Sequence, residues 1–123
     1  MLPTSHNRAY QDLLNLLTKF KSHLAAQASI RSLPHTKHEF QDLSEWFERN
    51  VANLDGHDLD LAIVPRWQAV QTEIKREFKL LSTDILFLAS ARQNDTQTKR
   101  LKSITNRLTK LIGYCQIILK DSN

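Results

Sequence analysis

The chain has 123 residues, a formal net charge of +4, and only 2 Gly and 3 Pro. A chain of this length forms one domain that buries a core without disulfide or metal staples. So few turn residues exclude a many-stranded β fold, which needs them every 8 to 12 residues or so. No apolar run of about 18 residues offers a transmembrane span.

The first predicted helix runs from about residue 5 to 28. Tyr10, Leu13, Leu17, Phe20 and Leu24 recur at spacings of 3, 4, 3 and 4, which makes one apolar stripe, and Leu14 and Leu16 widen it. The opening residues show neither an apolar h-region nor a small-residue cleavage site, so no secretory signal is expected. Residues 29–35 contain Pro34 and predict a connection.

Thr36 and Glu39 have the spacing of a capping box, which predicts a second helix over 36–54. Phe40, Leu43, Phe47 and Leu54 carry its stripe, with Trp46 and Val51 beside it. Asp55-Gly56-His57-Asp58 breaks it. Leu59, Leu61 and Ile63 alternate with polar or small residues. With no partner strand in the sequence, they predict a connection or 3₁₀ turn whose apolar side chains plug one end of a bundle.

A third helix, 65–92, should start at Pro65, where a missing amide costs nothing. Trp67, Val70, Ile74, Phe78, Leu81, Ile85 and Leu88 form its stripe. After a break at 93–96, with Asp95 or Thr96 as N-cap, a fourth helix runs to about 120. Its residues Leu101, Ile104, Leu108, Leu111, Cys115 and Ile118 make a heptad seam. Four long helices with short connections predict an all-α, elongated up-down-up-down four-helix bundle spanning the chain as a single domain. Helix content above about two thirds is expected, against a base rate near one third. A monomer and a coiled-coil-like homodimer both suit such seams.

Charge is unevenly distributed. Residues 1–35 sum to +3, 36–60 to −5, 61–95 to +1 and 96–123 to +5. In the expected topology helices two and four are diagonal, so they cannot neutralise each other, and basic helices one and four are neighbours. The bundle would have a basic side and an acidic side. The candidate partner-binding residues are therefore Lys99, Arg100, Lys102, Arg107 and Lys110. Lys99, Lys102 and Lys110 fall outward of the seam, while Arg100 and Arg107 flank it within reach of helix one or three. Trp46, on the acidic helix, is a candidate anchor.

No catalytic constellation is present, and a non-enzymatic protein without cofactor or metal is expected. His38 and Asp42 share a helix face but lack a third ligand. His6, His23 and His57 suit surface or connection positions. Gly56 and Gly113 are too isolated for a phosphate loop. Cys115, the one cysteine, sits on the seam as a small core residue and suits the cytoplasm. Gly113 either permits close helix approach or costs about 1 kcal/mol. The basic fourth helix also suits phosphates, but it lacks interleaved aromatics, so nucleic acid is the second choice after a protein partner.

The segments LPTSHNRAYQDLLNLL, EFQDLSEWF, LLSTDILFLASARQ and RLKSITNRLTKLIGYCQIIL resemble the cyanobacterial heterocyst frequency control (PatD) family. The resemblance covers nearly the whole chain and lies in overall pattern, not in a diagnostic motif. It implies a small helical regulator that binds the tubulin-like division protein FtsZ and influences its polymer assembly, tying cell division to heterocyst differentiation. No family motif fixes binding residues, so the site residues rest on the charge distribution alone.

Overall fold

The computed structural model describes residues 2–26 and 33–121. Four helices account for 84% of these residues, and no strand occurs among them. They are α1 (Thr4–Ala26), α2 (Leu33–Asn50), α3 (Val64–Ser90) and α4 (Asn94–Asp121). Contacts join α1 to α2, α2 to α3, α3 to α4 and α4 to α1, whereas the diagonal helices keep their backbones apart and α1 meets α3 through side chains alone. This is the expected up-down-up-down bundle. Its 27-residue α3 spans about 40 Å at 1.5 Å per residue.

All four stripes converge on one core. Tyr10, Leu13, Leu17, Phe20 and Leu24 of α1 face Phe40, Leu43 and Phe47 of α2, Ile74, Phe78, Leu81, Ile85 and Leu88 of α3, and the α4 seam from Ile104 to Ile118. Burying large apolar side chains supplies the main driving force, on the order of 1.5–3 kcal/mol each. Aromatic rings join α2 to α3, where Phe47 and Phe78 stack at 3.9 Å between centroids. The helices do not pack equally: α4 lies closely along α1 and α3, whereas α2 touches its two neighbours more sparsely.

Several boundaries differ from expectation. Helix α2 begins at Leu33, so Thr36 lies inside it and is buried. There is no capping box. Pro34 sits in the first turn, where its missing N–H is no loss, and the Glu39 carboxylate turns to histidines instead of the backbone. At its other end α2 stops at Asn50, four residues early, and the Val51 and Ala52 amides both donate to the Phe47 carbonyl. Residues 27–28, expected at the end of α1, lie outside the described residues. Helix α4 begins at Asn94, ahead of both expected caps, with Gln97 N–H donating to the Gln93 carbonyl. Asp95 thereby enters the first turn, where the helix dipole favours an anion.

The α2–α3 connection is a series of turns, not an extended piece. Leu59 is buried and plugs the bundle end, but Leu61 is 90% exposed. Turn geometry lacks the period-2 alternation that would bring Leu61 inward beside Leu59 and Ile63. Gly113 has no intramolecular role in close packing: a Cβ there would meet nothing within 4 Å. Gly113→Ala should therefore stabilise the bundle by about 0.5–1 kcal/mol, since alanine loses less backbone entropy in a helix. A denaturant melt checks this, and a destabilised variant would show that the open space is illusory.

Candidate functional site

Two polar assemblies fix the frame on which the charged faces sit. The first lies at the end of the bundle that holds the start of α1. Trp67 Nε1 donates to the Tyr10 hydroxyl at 2.9 Å, Tyr10 donates to Gln71 Oε1 at 2.6 Å, and Gln71 Nε2 donates to the Val51 carbonyl at 2.9 Å. This chain of buried bonds ties α1, α3 and the end of α2 together. His6 joins the same end. It is buried, stands edge-on to Trp67, and its Nε2 lies 2.9 Å from the Asp55 carbonyl. A carbonyl only accepts, so Nε2 carries a proton, and the buried Nδ1 has no hydrogen-bond partner among the described residues. His6 was expected at a surface or connection position. It stands four residues before Tyr10, in register with the α1 stripe, and its polarity masked that signal.

Burial holds the Tyr10 phenol well above its ordinary pKa, with the Trp67 hydrogen bond partly opposing. Burial likewise pushes the Cys115 thiol up to about 12. Both groups are neutral when folded and ionise more readily when unfolded. Their contribution is complete below the unfolded values and is lost as pH rises through the folded ones. The protein should accordingly hold its stability through neutral pH and lose it progressively above about pH 9. Cys115→Ala should blunt the first part of that loss in alkaline melts, and a profile identical to wild type would contradict the assignment. Tyr10→Phe, which leaves the Trp67 donor and the Gln71 acceptor unpaired, should cost about 1–3 kcal/mol at neutral pH in a urea melt.

The second assembly is an ionic seam between α3 and α4. Glu77 and Asp84 of α3 are buried. Arg107 Nε donates to Asp84 Oδ2, and its Nη1 reaches Glu77 Oε2 at 3.2 Å. Ser103 Oγ donates to Asp84 Oδ2 at 3.1 Å, and Arg100 approaches Asp84 Oδ1 at 3.8 Å. The Arg100 guanidinium also lies over the Phe87 ring, 4.7 Å from its centroid. The hydrogen bond that Arg107 donates to Asp84 is the largest influence raising the Arg107 pKa above its already high value. Seven-residue spacing of Glu77 with Asp84, and of Arg100 with Arg107, places one pair opposite the other across antiparallel helices. That spacing was visible in the sequence. Burial of the carboxylates was not, because acidic residues on a long helix ordinarily face water.

The five cations proposed from the charge distribution thus separate into two groups. Arg100 and Arg107 turn to α3 and are taken up by its carboxylates. Lys99, Lys102 and Lys110 are exposed, and none forms an ion pair with a described residue. Arg8 and Lys19 on neighbouring α1 are also exposed, and neither forms an ion pair with a described residue. Ile117, seven residues after Lys110, is 39% exposed on the outer surface of α4. The outward strip of α4 is therefore a line of free ammonium groups with one apolar side chain towards its end.

Trp46 is half-buried. It lines a cleft of about 450 Å³ between α1 and α2, with Leu16, Phe20 and Leu43 behind it. At the rim, His23 Nδ1 lies 2.8 Å from Glu39 Oε1, and His35 Nε2 lies 3.7 Å from Glu39 Oε2. His23 therefore links α1 to α2, a role that its expected surface or connection position did not include. His38 and Asp42 do meet, at 3.6 Å, but no group of three or more His, Cys, Asp or Glu among the described residues is arranged to hold a metal ion. No described helix is long and apolar enough to cross a membrane.

Comparison of the chain with protein-family models, with curated proteins and with solved structures found no match.

Proposed function

We propose that the protein is a non-enzymatic regulatory binding protein that docks the outer face of α4 onto an acidic, repeating protein surface. The supporting observation is the division of labour among the α4 cations. The two arginines are used inside the bundle, while Lys99, Lys102 and Lys110 have no carboxylate of the described chain within pairing distance and face solvent. Unpaired like charges along one helix raise the local potential, which steers an acidic partner to the face and speeds its association.

The resemblance to the PatD family supplies the partner: a cytoplasmic FtsZ-like division polymer. Its subunits would present the same acidic surface at each repeat, and a small basic protein bound along it would screen repulsion between filaments. A pull-down from native lysate tests this reading. Recovery of a tubulin-like division protein supports it. Recovery of RNA or DNA alone, lost at moderate salt, replaces it with a phosphate-binding role for the same lysines.

A further inference from the structure

We propose that the acidic face of α2 is a docking surface for the basic α4 face of a second copy of this chain, so that free protein self-associates through two different faces. The outer surface of α2 presents Asp42, Glu45 and Glu48, all exposed. Glu45 and Glu48 make no ion pair with a described residue, and Asp42 meets only His38, at 3.6 Å. The nearby Arg49 guanidinium is directed to the Glu45 main-chain carbonyl instead of its carboxylate. Across the bundle, the α4 lysines likewise form no ion pair with a described residue. Helices α2 and α4 occupy opposite corners with no close approach of their backbones, so the fold keeps the two outward rows apart and neither can satisfy the other within one chain.

The acidic row is shorter than the basic one and fits within its length. Asp42 to Glu48 rises about 9 Å along α2, and Lys99 to Lys110 about 16 Å along α4, at 1.5 Å per residue. Gly113 adds an independent feature. It weakens α4, it is not needed for packing within the chain, and it leaves the helix surface bare beside Ile117, where a second backbone can approach closely. A contact between unlike faces leaves one α2 face and one α4 face free on every pair. Such heterologous contacts propagate as open strings instead of closing into a two-fold dimer. Individual exposed pairs are weak and screened by salt, so association should depend on concentration and on three charges acting together. If the α4 face also binds the division polymer, polymer and second copy compete for it. That competition rests on the functional reading above, whereas the self-association does not.

Sedimentation velocity of the purified protein alone provides the test. The weight-average sedimentation coefficient should rise with concentration at low salt and return to the monomer value in about 1 M salt, where the screening length falls to about 3 Å. Asp42→Lys/Glu45→Lys/Glu48→Lys should remain monomeric, as should Lys99→Glu/Lys102→Glu/Lys110→Glu. An equimolar mixture of the two should associate again. Lys75→Glu/Lys79→Glu, on exposed positions of α3, should behave as wild type. A wild-type protein monomeric at every concentration in low salt would overturn the proposal. So would loss of association in the α3 variant, or a mixture that stays monomeric. Loss of polymer binding by the α2 variant, whose α4 face is intact, would overturn docking through α4 and leave the self-association standing, as would retained self-association without any polymer binding.

Discussion

Arg107→Ala should destabilise the bundle by about 3–5 kcal/mol, the largest loss expected of any single exchange outside the apolar core. The guanidinium is the common partner of Asp84 and Glu77, both buried on α3. Removing it leaves two buried carboxylates in the α3–α4 interface; among the described residues Asp84 keeps Arg100 at 3.8 Å and the Ser103 hydroxyl, and Glu77 keeps no ion pair. The cost is therefore mainly the penalty of uncompensated buried charge, not the net worth of the original pairs. Arg107→Leu combined with Asp84→Asn and Glu77→Gln separates these terms. The triple variant should recover most of the loss, because it removes both the cation and the charges that need it. Denaturant melts of the single and triple variants decide the matter. If Arg107→Ala cost less than about 1 kcal/mol, the seam would be worth no more than an exposed ion pair.

This result bears on function because the same seam sorts the α4 cations. Lys99, Lys102 and Lys110 lie outside it and should be dispensable for folding. Reversing all three to Glu should change stability little, since exposed pairs contribute about 0–1 kcal/mol and these lysines have no partner to lose. The charge of residues 96–123, +5 in the wild type, nonetheless falls by six. A folded protein with wild-type thermal stability and greatly reduced binding is the expected outcome. The loss should lie chiefly in association rate, because electrostatic complementarity acts mostly on encounter.

The architecture was largely legible in the sequence because it depends on periodicity. Apolar residues at 3- and 4-residue spacings define each helix face, and the α4 seam from Leu101 to Ile118 has the expected register. Helix ends were less legible. Thr36 and Glu39 have the capping-box spacing, yet Pro34 allows α2 to start earlier, and propensity alone does not choose between two local solutions of similar free energy. The polar interior was hidden because it depends on tertiary partners. His6, Gln71, Glu77 and Asp84 sit at stripe or stripe-adjacent positions, but only the meeting of α1 with α3, of both with the α2–α3 connection, and of α3 with α4 supplies the bonds that let them be buried. The candidate site was half visible. Charge summation picked out α4, and heptad position distinguished outward lysines from flanking arginines. Which of those arginines the bundle uses internally follows only from the carboxylates across the seam.

Co-sedimentation with assembled FtsZ filaments, over a range of salt, tests the central claim most directly. Wild-type protein should pellet with filaments at low ionic strength and be released as the screening length shortens. Lys99→Glu/Lys102→Glu/Lys110→Glu, verified as folded, should stay in the supernatant throughout. A triple variant that pellets like wild type, or wild-type binding that is indifferent to salt, would contradict docking through the basic face of α4.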